Sequence, residues 1–343
     1  MILTRIPYYI NKVLSSTFVT GWNIEIEIRN RSGLIDTYNI TKQRPSVDTT
    51  NLFVDISKVV SDYYTHVPFT QANMQTGGIF VSRFYEMLLI TVTDEEVDSL
   101  GTDFTATETT YEALYGHGYY LEGQNYAPSR KTLLSHSNYK MDARGYFLFP
   151  FRIVTGDEVL TLDGDAVSKN AVFTGFDNYQ YLVITGDDHT GTATVVYDGE
   201  TTIIELVTEC KYDVKEVQFV NRYGMVEVIH FYKVKKDSIK TESEKFKNAY
   251  SNGTSYDTSR HQIKEFNKTS NKTFRMETGF LNEDYNLTIQ ELMESESVWL
   301  READVVSPVN VTKNSLELKT GIVDKVITYS LEFEYAFDEI NNV

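Results

Sequence analysis

The chain has one cysteine, Cys210, in 343 residues, which excludes an internal disulfide and a cysteine-rich metal site. Proline is scarce too, six in all, so few positions prevent a backbone N–H from joining a β-ladder. No apolar run approaches the roughly 20 residues of a membrane-spanning helix. The segment Met1 to Ser16 lacks the apolar core of a signal peptide, so export by the general route is not expected and synthesis in a reducing cytoplasm fits. Basic residues are few, 32 against 49 acids, and the resulting charge of −17 repels nucleic acid unless a local patch overrides it. The best patch is Lys233, Lys235, Lys236, Lys240, Lys245 and Lys247, interleaved with Asp237, Glu242 and Glu244. It reads as a solvated mixed-charge loop or helix face, and no direct nucleic-acid partner is expected.

Aromatics are abundant, with 24 tyrosines and 19 phenylalanines. Such side chains suit pleated, half-buried surfaces and also anchor subunit interfaces. The chain length accommodates two or three domains. Residues 1–98 read as a small antiparallel sandwich. In it Ile24, Ile26 and Ile28 share a face opposite Glu25 and Glu27, Gly33 makes a turn, and a strong strand starts near Phe84. Residues 99–207 open with a Gly- and Tyr-rich excursion, Tyr111 through Tyr126, and continue as short strands turned by Asp163-Gly164, Asp198-Gly199 and the Gly186 corner. The excursion fits an irregular insertion packed on its own sheet as well as a contact arm toward a neighbour. Residues 208–343 read as a further sandwich, with a hairpin around Asn221–Gly224 and a helix after Asp284. The helix would present Ile289, Leu292, Met293, Trp299 and Leu300 on one face. A last strand places Ile327, Tyr329, Leu331, Phe333, Tyr335 and Phe337 on one side. The expected class is mainly β, with antiparallel sandwiches and a short helix in the C-terminal region.

Chemistry-bearing motifs are missing. No phosphate loop, dinucleotide fingerprint, zinc-protease helix or serine elbow occurs at the required spacing. Asp157, Glu158, Asp163 and Asp165 lack the oxygen spacing of a calcium loop and read as turn acids. Glu86 and Glu205 interrupt apolar strands and are explained by outward-facing positions. Asp187, Asp188 and His189 crowd together, but neighbours in sequence do not by themselves converge on a metal, and His189 reads as a loop residue. His230 beside Phe231 and Tyr232 could be a base and reads first as a packed histidine. No catalytic residue, cofactor or metal ligand is assigned. Trp22, Tyr115, Tyr119, Tyr120, Tyr126, Tyr223 and Trp299 are the candidate contact residues, each equally placed to be core. Tyr115, Tyr119, Tyr120 and Tyr126 also permit a stacking platform for a glycan.

The run from Cys210 to Glu227, with Phe219-Val-Asn-Arg-Tyr-Gly at its centre, resembles a segment recurring in structural tail proteins of bacteriophages that infect Bacteroidetes-type hosts. There the pattern joins two strands. Tyr38-Asn-Ile-Thr-Lys, Val54-Asp-Ile-Ser-Lys and Asp62-Tyr-Tyr near the start look like the same group. So do Ser297-Val-Trp-Leu, Pro308-Val-Asn-Val, Leu318-Lys-Thr and the run from Asp324 to Ala336. The matches cover about the first 65 and last 135 residues, leaving the middle unaccounted for. The resemblance implies immunoglobulin- or fibronectin-like sandwiches in a tail ring, collar, hub or baseplate. It further implies a homo-oligomer that contacts other virion tail proteins and transfers no catalytic residue. A receptor- or glycan-binding module of the virion is the alternative.

Overall fold

A computed structural model describes residues 1–70, 79–81, 87–98, 106–169, 178–248, 255, 258–313, 315–320 and 327–339. The first strands are β1 (Ile2–Leu3), β2 (Tyr9–Val13), β3 (Val19–Asn30), β4 (Gly33–Gln43) and β5 (Asn51–Asp55). A one-turn helix α1 (Ser57–Ser61) precedes β6 (Ile79–Val81), β7 (Met87–Asp98) and β8 (Thr107–Leu114). Next come β9 (Asn138–Asp142), β10 (Tyr146–Arg152), β11 (Leu160–Leu162), β12 (Asp165–Ala166) and β13 (Tyr179–Thr185). Then follow β14 (Thr192–Tyr197), β15 (Glu200–Val207), β16 (Lys215–Val220) and β17 (Val226–Phe231). The last elements are β18 (Lys236–Lys247), β19 (Ile263–Glu277), α2 (Tyr285–Glu294), β20 (Val298–Glu302), β21 (Val305–Val311) and β22 (Ser330–Tyr335).

The fold is mainly β, with mixed and antiparallel sheets and a short helix in the C-terminal region. One sheet runs β1-β8-β7-β3-β4, and β2 pairs with β5 beside it. Ile24, Ile26 and Ile28 point from β3 into a core shared with Leu52, Val54, Ile56 and Val60, as the alternation requires. β8, from beyond residue 98, completes this sheet. β6 instead pairs with β13 in the order β10-β13-β6. A five-stranded sheet, β12-β11-β14-β15-β9, uses the Asp163-Gly164 and Asp198-Gly199 turns, where all four residues have positive φ. The largest sheet is antiparallel throughout, β17-β16-β20-β21-β22-β19-β18. One core spans the middle and C-terminal strands, from Leu134 through Phe219 to Phe333, with α2 packed on it by Tyr285, Ile289 and Leu292.

Two expectations are corrected. The helix stops at Glu294, and Trp299 and Leu300 lie in β20, where Trp299 stands opposite Gln218 and Pro308. A β-branched residue and an aromatic, Val298-Trp299, fit a pleated surface and can sit in a helix only as an apolar face, so a short apolar run misleads. The basic stretch is a loop only at Lys233 and Lys235: Lys236–Lys247 is strand β18, paired along its length with β19. The final strand alternates as expected from Ile327 to Phe333, all four inward residues being buried, while Tyr335 is half-buried and Phe337 exposed. Of the strand expected from Phe84, the part from Met87 is β7; Phe84 and Glu86 lie outside the described residues.

Candidate functional site

The Asn221–Gly224 turn between β16 and β17 is a junction for the whole chain. Asn221 accepts from the backbone N–H of Tyr223 and Met225 at 3.0 and 3.1 Å, and its Nδ2 donates to Leu133 O at 2.8 Å. These bonds satisfy the turn's backbone without water and tie it to a distant segment. Arg222 lies over the rings of Tyr119, Tyr126 and Tyr223, at 4.6, 5.2 and 5.4 Å from their centroids. It also pairs with Glu122, so a guanidinium and three rings seat the excursion on the turn. The N–H of His117 donates to Arg222 O at 2.7 Å. Further along, Tyr115 hydrogen-bonds Glu296, and His117 and Tyr119 reach Glu294 at 3.1 and 3.2 Å. Arg5 joins them through Glu296 at 3.0 Å.

Beneath the turn sits a buried carboxyl pair, Glu227 from β17 and Glu291 from α2. Ser135 Oγ lies 3.0 Å from Glu227 Oε2 and 3.0 Å from Glu291 Oε2. One hydroxyl proton cannot satisfy both, so the second contact requires a proton on a carboxyl. Tyr139 OH and Asn221 Nδ2 donate to Glu227 at 2.9 and 3.0 Å, and the backbone N–H of Arg222 donates to Glu291 at 3.1 Å. Loss of hydration raises the pKa of both, and the Glu227 charge adds to that of Glu291, which reaches about 8. Both groups are too enclosed to meet a substrate, and their role is to join α2 to the turn.

Other acids singled out in the sequence are likewise occupied. Glu158 accepts three backbone N–H bonds at 2.9 Å, from Val154, Thr155 and Gly156; burial opposes its charge, but these bonds and Lys131 hold its pKa below the usual range. His189 pairs with Asp163 at 2.7 Å in a loop. His230 is buried with its Nε2 3.7 Å from Glu216, which Arg301 binds at 2.7 Å. Glu205 faces Lys140 across 3.3 Å on the surface. Among the described residues, no group of three His, Cys, Asp or Glu could hold a metal ion.

The candidate contact residues separate. Trp22 is buried in the first core, and Tyr223 and Trp299 are buried as well. Tyr115, Tyr119 and Tyr126 are half-buried on the junction, with the last two turned toward Arg222. Only Tyr120 of the seven is fully exposed, at 97 %, beside Leu121 at 95 % on a 3₁₀ turn.

A surface not recognised in the sequence is the ribbon of β18 and β19. β19 is held by β22 over Thr273–Glu277, and the chain after β22 reaches back to Ser270 through the N–H of Glu339. Beyond Ser270 the described residues of the ribbon have only two strands, for roughly 20 Å. There and just inside, Ile239, Phe246, Ile263 and Phe266 remain 66 %, 44 %, 57 % and 40 % exposed. Phe246 and Phe266 meet edge to face at 5.4 Å. The available signal was the recurrence of single apolar residues among charges in both segments. No protein-family model matches the chain, and no curated protein matches it.

Proposed function

We propose that this chain is a structural component of a phage tail, in a ring, collar, hub or baseplate, and that it works through contacts with copies of itself and with neighbouring tail proteins. In this reading its sheets form immunoglobulin- or fibronectin-like sandwiches, it is made in the host cytoplasm and resides in the virion, and it makes or breaks no bond. The observation that carries the reading is the β18–β19 ribbon. A two-stranded ribbon is marginal in water by itself, and this one leaves three large apolar side chains exposed along its overhang and a fourth, Ile239, just inside it. Such an arm gains stability when a second surface covers it. The junction at Asn221–Gly224 supports the same reading, because it ties the first strands, the Tyr-rich excursion and α2 into one body that can bear load.

Light scattering on the purified protein over a range of concentrations tests it. The expected result is a discrete oligomer, and F246S/F266S should lower its mass while leaving the far-ultraviolet circular dichroism unchanged. A wild-type protein that stays monomeric at every concentration would sink the reading.

A further inference from the structure

We propose that the β18–β19 ribbon of one copy lies across the outward face of the β3–β7–β8 sheet of a second copy, with Lys264 against Glu25, Glu95 and Glu108. This rests on the assembly reading above and names the surface that the ribbon covers.

The argument begins with charge. The ribbon strands carry eight lysines and arginines against five acids, in a chain whose overall charge is −17. The ribbon is thus a basic arm on an acidic body, and a second copy is a partner of the opposite sign. Among the described residues Lys236, Lys247 and Lys264 make no ion pair, whereas Lys240 and Lys245 are neutralised by Glu242 and Glu265 within the ribbon. The register puts Lys264 on the Phe246–Phe266 face and Lys247 on the other, opposite Ile263.

The counter-surface has the complementary excess. Glu25 stands opposite Thr93, and Thr93 opposite Glu108, so the register places both glutamates on the face away from Ile24 and Ile26. Glu95, two residues from Thr93, shares that face opposite Asn23. Among the described residues none of these three glutamates makes an ion pair; Glu27 beside them is held by Arg29 at 2.6 Å. Glu25 and Glu108 are two strands apart, roughly 10 Å, comparable with the screening length at physiological salt. They therefore repel one another in the free chain, and a cationic ribbon relieves that repulsion.

Shape and surface agree. A shallow depression on this face is lined by Asn23, Glu25, Asn39, Thr41, Thr93 and Glu95. Thr91 and Thr110 lie opposite each other along the same row of side chains, offering methyl groups to the Phe246–Phe266 pair. Ribbon and face are different patches of one chain, so the contact is head-to-tail and repeats from copy to copy, closing as a ring when the rotation allows.

Four proteins test the inference by light scattering at low and high salt: wild type, E25K/E108K, K264E and the combination of all three changes. All sites are exposed, and circular dichroism checks each fold. Wild type should form an oligomer whose mass falls at high salt. E25K/E108K and K264E should each need at least about tenfold more protein to assemble, and the combination should recover most of that loss. If K264E dissociates while E25K/E108K assembles normally, the face is wrong and the assembly reading survives. If both variants keep the wild-type mass, this contact is overturned. If wild type is monomeric throughout, the contact and the reading fall together. Binding of single-stranded DNA by wild type that K264E abolishes would assign the ribbon to nucleic acid and overturn the proposal.

Discussion

Raising the pH from about 6 to about 9 is expected to weaken the folded protein by about 2–3 kcal/mol through Glu291 and its partner Glu227. The sign follows from proton counting. Glu291 has a folded pKa of about 8 against an unfolded value near 4.5. Between those values the folded state holds a proton that the unfolded state has released, so stability falls as pH rises and levels off above the folded pKa. The groups facing the pair are Ser135 and Tyr139, Asn221 and the Arg222 backbone on the turn, and Thr288 on α2. The Arg222 side chain acts on Glu291 only as a distant charge. His136 stacks on Tyr139 at 4.0 Å, and burial lowers its pKa to about 4, so it is neutral over this range. E291Q keeps the shape and removes one of the two titrations, leaving that of Glu227. Its urea-unfolding free energy should fall less than that of wild type over the same range, and a full wild-type slope in E291Q would place the effect elsewhere. E227A has a different consequence: it strands the donors of Tyr139 and Asn221 in a dry site, with an expected loss of about 3–5 kcal/mol at neutral pH.

Substitution at the junction should be as damaging. Gly224 has φ +79°, and a Cβ there would stand 2.9 Å from Tyr115 N and 3.0 Å from Tyr115 C. Gly116 approaches from the other side, where a Cβ would fall 2.3 Å from Arg222 O. Backbone atoms on both sides cannot swing aside as a side-chain tip can, so the excursion must lift off the turn. G224A combines a left-handed penalty of about 1–2 kcal/mol with this clash, and a total above about 3 kcal/mol is expected. G199A is the control: its φ is +85°, but nothing lies within 4 Å of an added Cβ. It should lose about 1–2 kcal/mol in the same urea titration. Equal losses in G224A and G199A would mean that the close approach carries no energetic weight.

These two sites differ in how far they could be read in advance. The Asn221–Gly224 hairpin was legible because its signals are local: a turn sequence with glycine at the end, between two apolar strands. The same holds for Ile24, Ile26 and Ile28, for the Asp-Gly turns, and for the inward row from Ile327 to Phe333. In each, residues two or three apart dictate one another's side through backbone geometry alone. The role of Arg222 was not legible, since its rings come from Tyr119 and Tyr126, about a hundred residues away.

Glu227 shows why. Flanked by Val226 and Val228 in β17, an acid reads as an outward-facing strand residue. Every residue of β17 is buried, on both faces of the strand, so outward does not mean wet. Only the arrival of α2, with Glu291, made that position a shared-proton site. The charged run at Lys236–Lys247 erred in the opposite direction, because a strand with both faces in water has no apolar alternation to announce it. The sequence by itself determined the period, the turns and the inward side of its amphipathic strands, because these depend on residues within one strand's reach. Only the tertiary structure decided which acids meet, which rings hold Arg222 and which apolar residues remain uncovered, because those depend on strand order across the whole chain.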